Sequence, residues 1–404
     1  MFLSSFFLFL ILKGILADEN ATDTRHGLQL WRAQGDFDDD VLEEFERRAH
    51  FTEVWKKDNK TIDFLVYESE GESLNRFLDA YNVTRKILIQ DVQGKFDEDV
   101  LDSFPTRRKA VSGDSFSWTD YPTLDEINRY LEKMAATYPH HCKLISIGRT
   151  SQNRTINMLK MSDGRTGTPA ILVDGGIHGQ EKISTLSTLY FIDSIVRDYT
   201  MQPFYVTKRD WHIIPVLNPD GYEYSRTEDR IWRKNRRRTT GNCIGVDLNT
   251  NFAYRWGLEE TSLSACSHDY CGPTPFSEAE TKAFKTLVDG TYYHGYISIH
   301  SGRARITYPT ESTDYDIGTH IQLTKEIGQA MRKINDVRYP NDNAPLPKKY
   351  GMSIDWMYHL KRIKQSYMIH ARGYPVLGIL ASKDILPAVK EVRAGLLKFA
   401  EVLQ

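Results

Sequence analysis

Beyond residue 123, short apolar runs alternate with helical patterns, and few folds accommodate that order. Thr155–Met161, Ala170–Val173, Trp211–Val216 and Tyr296–His300 read as buried strands. Ser184–Arg197, Glu278–Leu287, Ile317–Ile334 and Leu386–Leu403 carry helical spacing. An earlier helix is announced by Thr123-x-x-Glu126 ahead of Leu124, Ile127, Leu131 and Met134. Those residues make a capping box followed by one apolar helix face. Strands alternating with helices predict an α/β fold around a mostly parallel or mixed sheet. The 404 residues are 40% apolar and 26% charged, a globular composition. That length exceeds the roughly 250–300 residues at which a single core stops growing, so a second domain is expected.

The second domain is expected ahead of the first. Residues 41–103 mix helical and strand-like patterns, as in Ile62-Asp63-Phe64-Leu65-Val66-Tyr67, enough for a small α+β unit. Residues 18–40 are polar and acidic and predict a loose start. Charge separates the two parts. Residues 18–106 carry 22 acids against 11 bases (net −11), and residues 107–404 carry 40 bases against 32 acids (net +8). Arg107-Arg108-Lys109 stands at the change, in a polar linker where a protease would find exposed chain. The formal net charge of −2 gives no global signal for nucleic acid. Of the six bases between Arg230 and Arg238, all but Arg233, which is taken up below, read as surface charge rather than a nucleic-acid patch.

Residues 1–17 hold an apolar run, Phe2–Leu12, that ends near Gly14 and Ala17, as a secretory signal does. The run is short of the about 20 apolar residues that span a bilayer. Sequons at Asn20, Asn59, Asn82 and Asn153 fit an extracellular chain. The four cysteines, Cys142, Cys243, Cys266 and Cys271, allow three pairings.

Chemistry in α/β sheets gathers beyond the strand ends. One such end reads Asp174-Gly-Gly-Ile-His178-Gly-Gln-Glu181, where His178 and Glu181 can reach one ion. Two side chains of this kind suit zinc, whose catalytic sites keep three protein ligands and an open position. His300, at the end of another apolar strand, is the candidate third ligand. The same spacing at His50-x-x-Glu53 lies in a charged helical pattern and reads as a solvated pair.

These motifs carry a resemblance. Asp174 to Glu181, Asn218-Pro-Asp-Gly-Tyr-Glu-Tyr, Arg230-Ile-Trp-Arg233-Lys-Asn-Arg, Gly245-Val-Asp247-Leu-Asn249-Thr-Asn, Ile299-His300-Ser301 and Ser353-Ile-Asp-Trp356 stand in order along the chain. Together they resemble the pancreatic-type (A/B) zinc metallocarboxypeptidases. The segment before the tribasic site resembles the family's activation prosegment. The resemblance implies a signal peptide over 1–17, a prosegment over 18–109 and a carboxypeptidase-like domain over 110–404. Its fold would be α/β, an eight-stranded mixed sheet flanked by helices, preceded by a small α+β prosegment. It also implies one zinc ion on His178, Glu181 and His300, with Asp247 orienting a ligating imidazole, Arg233 facing the substrate carbonyl, and a Cys243–Cys266 disulfide. The expected product is a secreted monomer whose partners are its own prosegment and peptide C-termini.

The departures fall at the chemistry. The family's general-base Glu falls on His370, and no Asp or Glu occurs between Asp355 and Asp384. The Arg before the ligating Glu is Gln180. The Arg that would grip the substrate carboxylate is Thr250, beside a retained Asn249. The capping Tyr falls on Pro347, with Tyr350 nearby. Ile354 stands where the family sets side-chain preference, which favours apolar C-terminal residues. His370 has three readings: a substitute base, a fourth metal ligand, or a side chain packed near an unused cleft. Losing the base removes about 10²–10⁴ in rate, and impaired or absent peptidase activity is expected. The alternative is an active carboxypeptidase using His370 as base.

Overall fold

A computed structural model describes residues 28–35, 54–58, 60–92, 94 and, from 117 onward, all but residues 166, 259–260, 303, 310, 312–313, 343–349, 374–379, 381 and 404. The leader, the tribasic stretch, Asn20, His50, Asn59 and Pro347 lie outside the described residues. The chain divides into two units, Met1–Asp102 and Ser103–Gln404.

In the first unit four strands form an antiparallel sheet in the order β2-β3-β1-β4: β1 Leu28–Gln34, β2 Val54–Asp58, β3 Thr61–Tyr67 and β4 Thr84–Ile89. A helix, Glu68–Ala80, joins β3 to β4. The expected loose start is corrected here, because Leu28–Gln34 is a strand with neighbours on both sides. Trp31 and Ala33, two apart and therefore on one face, enter a core with Phe64, Val66, Phe77 and Leu78. Burying that indole outweighs the polarity of its surroundings.

In the second unit an eight-stranded mixed sheet runs β11-β10-β12-β9-β7-β8-β6-β5. Its strands are β5 Cys142–Arg149, β6 Thr155–Met161, β7 Ala170–Asp174, β8 Asp210–Ile214, β9 Tyr293–Gly302, β10 Arg305–Thr307, β11 Asn341–Asp342 and β12 Gln365–Arg372. The central strands β12, β9, β7 and β8 are parallel. The expected strand Trp211–Val216 ends instead at Ile214, because Pro215 has no N–H to donate to a ladder. The capping box forms as read: the Glu126 N–H donates to Thr123 Oγ1 at 3.1 Å, and the Thr123 N–H donates to Glu126 Oε2 at 2.7 Å.

Alternation along the strands feeds two cores. Ile171, Val173, Ile297, Ile299 and Ile369 face the helices Leu124–Thr137, Lys182–Val196, Asp314–Asn335 and Ser382–Val402. Leu172, Tyr296 and Met368 face the other side, with the helices Ala279–Asp289 and Ser353–His359. Helices on both faces explain why the central strands read as continuous apolar runs. Cys243 and Cys266 form the disulfide, and Cys142 and Cys271 are free and buried. Among the described residues no helix is long and apolar enough to cross a membrane. Asn82 and Asn153 are exposed at turns with positive φ.

Candidate metal centre

Strand β7 has β8 on one side and β9 on the other. The chain leaving β7 crosses to β8, and the chain leaving β9 crosses the other way toward β10 and β12, which opens a crevice between β7 and β9 at the strands' carboxyl ends. The chain leaving β7 turns sharply there through Gly176, whose φ of +61° suits glycine. Gly179 fits only without a side chain, since a Cβ would lie 2.4 Å from the Gly221 carbonyl oxygen. This packed turn delivers His178 and, three residues on, Glu181. Glu181 is the N-cap of helix Lys182–Val196 and makes no side-chain cap bond. Its carboxylate faces the crevice instead, at the helix end that favours negative charge. His300 arrives from the end of β9.

His178 Nδ1 lies 2.9 Å from Glu181 Oε1, and His300 Nδ1 lies 3.0 Å from Glu181 Oε2. The far nitrogens fix both tautomers. His178 Nε2 is 3.0 Å from Asp247 Oδ1; a carboxylate only accepts, so that nitrogen carries the proton. His300 Nε2 is 3.2 Å from Ser298 Oγ, whose hydroxyl donates to Asp174 Oδ1 at 3.0 Å. The Ser298 oxygen thus accepts from His300. Both Nδ1 lone pairs then point at one carboxylate with no proton between them, an arrangement that calls for a cation. The three ligand atoms lie within 4.8 Å of one another. Two imidazoles, a carboxylate and an oriented second shell fit zinc.

The flanking charges support the same centre. Arg233 Nε donates to Asp247 Oδ2 at 3.0 Å, and its Nη1 is 4.0 Å from Glu181 Oε1. Burial pushes the Glu181 carboxyl up, but positive charge at the His178 and His300 rings, which a cation between them would supply in place of a ring proton, outweighs it and holds the carboxyl well below the ordinary range. Burial also holds His300 below its usual value. Asp174 goes the other way: burial raises its carboxyl to about 7, against hydrogen bonds from Tyr296 and Ser298. Asp174 and Ser298 were not singled out from sequence, although Ser298 lies two residues before His300 and so on its face.

The remaining site residues divide. The Asn249 N–H donates to Asp247 Oδ1 at 3.0 Å, and Asn249 Oδ1 accepts from the Ser353 N–H at 3.1 Å. Thr250 is 1% exposed, and its hydroxyl donates back to the Asp247 carbonyl at 2.9 Å. Gln180 is buried, its backbone carbonyl accepting from Arg230. Ile354 packs in the apolar cluster with Trp356 and Met368. Tyr350 is buried, its hydroxyl 3.5 Å from Glu311 Oε1. His370 pairs with His300 across β12 and β9, with ring centroids 5.5 Å apart. It is half-buried, its Nε2 has no partner among the described residues, and it does not join the three converging donors.

A His-His-Glu set at the switch point of a helix-flanked mixed sheet defines a zinc-hydrolase type of centre. Comparison with known proteins narrows this. The zinc carboxypeptidase family model matches residues 127–395, and the carboxypeptidase activation peptide model matches residues 33–99. Carboxypeptidase A1 of Rattus norvegicus is 33% identical over 350 residues, 83% of each chain. Carboxypeptidase A1 of Sus scrofa is 30% identical, covering 97% of this chain and 96% of the relative. The crystal structure of thrombin activatable fibrinolysis inhibitor superposes with a TM-score of 0.79 at 27% identity, covering 94% of this chain and 99% of that one. The chain therefore belongs to the zinc carboxypeptidase family and carries the family's activation peptide.

Proposed function

We propose that this chain is a secreted zinc-binding carboxypeptidase homologue whose peptidase activity is impaired or absent. Signal peptide 1–17, prosegment 18–109 and catalytic-type domain 110–404 are the processing units of this reading, with the acidic prosegment drawn to the basic domain by charge.

The observation that carries it is Thr250. A substrate carboxylate needs a cation at this place for a charge-assisted, two-pronged contact. Thr250 is neutral and buried, and its hydroxyl is already committed to the Asp247 carbonyl. Gln180 adds no charge either. Zinc, when bound by His178, Glu181 and His300, supplies a Lewis acid for a carbonyl oxygen. Around it, Asp247 holds the proton on His178 Nε2, and Arg233 places a guanidinium beside Glu181 where a carbonyl oxygen can be received. His370 occupies the base position with an imidazole in place of a carboxylate.

The test uses the protein cleaved after Lys109 and loaded with zinc, with peptide C-termini followed by mass spectrometry. No trimming is expected from the wild type. The paired change His370→Glu and Thr250→Arg should bring trimming back. Ladders of shortened peptide from the wild type would establish the alternative, an active carboxypeptidase with His370 as base.

A further inference from the structure

The neighbouring strands β12, β9, β7 and β8 run parallel, and three of them start in one row: Ala170 of β7 is paired with Tyr293 of β9 and with Asp210 of β8. The segments that enter the four strands, residues 360–364, 289–292, 162–169 and 197–209, therefore meet at the sheet's amino edge. Contacts join them there. Arg165 Nη2 donates to the Thr207 carbonyl at 3.0 Å, and the Asp210 N–H donates to the Pro169 carbonyl at 3.1 Å. Arg209 Nη1 lies 2.7 Å from His294 Nδ1, and Lys361 pairs with Asp289. Tyr293 and His300 belong to the same strand, and at about 3.3 Å per residue roughly 23 Å separates this edge from the metal donors.

Apolar side chains stand out of the edge. Met201 is 82% exposed, Tyr292 78% and Phe204 69%, the three highest values among the large apolar side chains described, and Leu360 is exposed beside them in the sequence of segments. A single exposed apolar residue is ordinary, but several gathered on one edge mark a contact surface. Met201 and Phe204 sit on two short helical turns, Tyr199–Met201 and Phe204–Thr207, whose Tyr199 and Val206 are buried beneath them. Charge indicates what the surface meets. The four segments carry seven bases against three acids, a net of +4 and half of the +8 held by residues 107–404. The Arg165 guanidinium and the Lys208 ammonium each lie 6.0 Å from the Phe204 ring. Lys208 and Arg362 form no ion pair among the described residues. Exposed Met, Phe, Tyr and Leu set among bases suit a phospholipid surface, where apolar side chains enter the acyl boundary and lysine or arginine meets phosphate. A sulfated polysaccharide would use the bases and leave the apolar side chains in water.

We propose that the amino edge of the sheet, through Met201, Phe204, Tyr292 and Leu360 with Lys208 and Arg362, docks on a phospholipid surface bearing anionic headgroups. The metal centre then points away from the lipid, at the far end of the same strands.

Co-sedimentation of the full chain with vesicles of phosphatidylcholine, alone or mixed equally with phosphatidylserine, tests the docking. At about 1 mM lipid, roughly ten times the concentration that half-binds one myristoyl chain, most of the wild type should pellet with the mixed vesicles. Partition into pure phosphatidylcholine should be weaker by roughly fivefold for each base engaged. Met201→Ser together with Phe204→Ser should lower partition by about tenfold or more, and Lys208→Gln together with Arg362→Gln should remove most of the preference for phosphatidylserine. Leu263→Ser, at an exposed site outside the four segments, should leave binding unchanged, and all variants should keep the wild-type urea midpoint. Wild type left in the supernatant with both vesicles, or pelleting unaltered by the Met201 and Phe204 changes, would overturn the lipid surface. Retention on heparin without vesicle binding would overturn it in favour of a polyanion. Self-association that the same double change abolishes, without vesicle binding, would overturn it in favour of a second copy of the chain.

Discussion

Asp247→Asn is the most informative single change at the centre. Asp247 is fully buried and serves three donors: His178 Nε2 at 3.0 Å, the Asn249 N–H at 3.0 Å and Arg233 Nε at 3.0 Å. Its two oxygens accept from opposite sides, His178 and Asn249 on one and Arg233 on the other. An asparagine has one accepting oxygen and one donating NH₂. If the oxygen stays with His178, the NH₂ meets the Arg233 N–H, and that guanidinium is released toward Glu181, already 4.0 Å away. There it competes with the metal for the carboxylate. If the amide turns over, the NH₂ faces His178 Nε2, which must give up its proton. The proton then sits on Nδ1, and the lone pair that would bind zinc is lost. Either outcome weakens zinc by about 10–100-fold, or roughly 1.4–2.7 kcal/mol. Competition against a fluorescent zinc chelator on the full chain measures it. Thr250→Ala is the control, since it removes a hydroxyl from the same turn and leaves the Asp247 carboxylate intact. Zinc held by Asp247→Asn within twofold of wild type would refute the tautomer reasoning.

Three further outcomes follow from the fold. His212, 6% exposed with Nδ1 2.7 Å from the Tyr293 hydroxyl, is pushed down from 6.5 to about 4 by burial, with Lys160 adding to the shift and Asp210 opposing it. Between pH 6.5 and 4 the unfolded chain gains a proton that the folded chain refuses, so stability falls by roughly 3 kcal/mol as the solution is acidified. Urea midpoints for wild type and His212→Asn should converge over that range, and parallel curves would refute it. Replacing Cys243 and Cys266 together by serine opens a loop of 23 residues and should lower stability by about 3 kcal/mol, with an unchanged unfolding midpoint as the contrary result. Trp356→Ala empties a site that Phe252, Phe276 and Phe284 surround at centroid distances of 5.2–6.3 Å. A loss of about 3–5 kcal/mol in chemical denaturation is expected, and a loss below 1 kcal/mol would mean the cluster collapses around the gap.

Much of the second unit was legible in the chain because its central strands are covered on both faces. Continuous apolar runs such as Ala170–Val173 leave little choice of state, and the helices between them show their spacing. Less was visible at the sheet's margins. β10 has three residues and β11 two, too short for any periodicity to register. In the first unit, Leu28–Gln34 was hidden by acidic neighbours, since composition averages over a window and burial of Trp31 does not.

The sequence by itself pointed to the residues that can converge on one metal ion: His178 and Glu181 three apart at a strand end, and His300 at another. Those are matters of residue type and local spacing. Only the tertiary structure decided what each group faces. Which imidazole nitrogen keeps its proton depends on Asp247 and Ser298, and Asp247 lies 69 positions from His178. That Arg305 stands opposite His370 depends on strand register, set by the pairing of segments some 65 residues apart. A one-residue slip in that pairing would move every side chain of β10 to the other face. No local pattern in so short a strand specifies its partner, so that pairing comes into view only when the sheet is assembled.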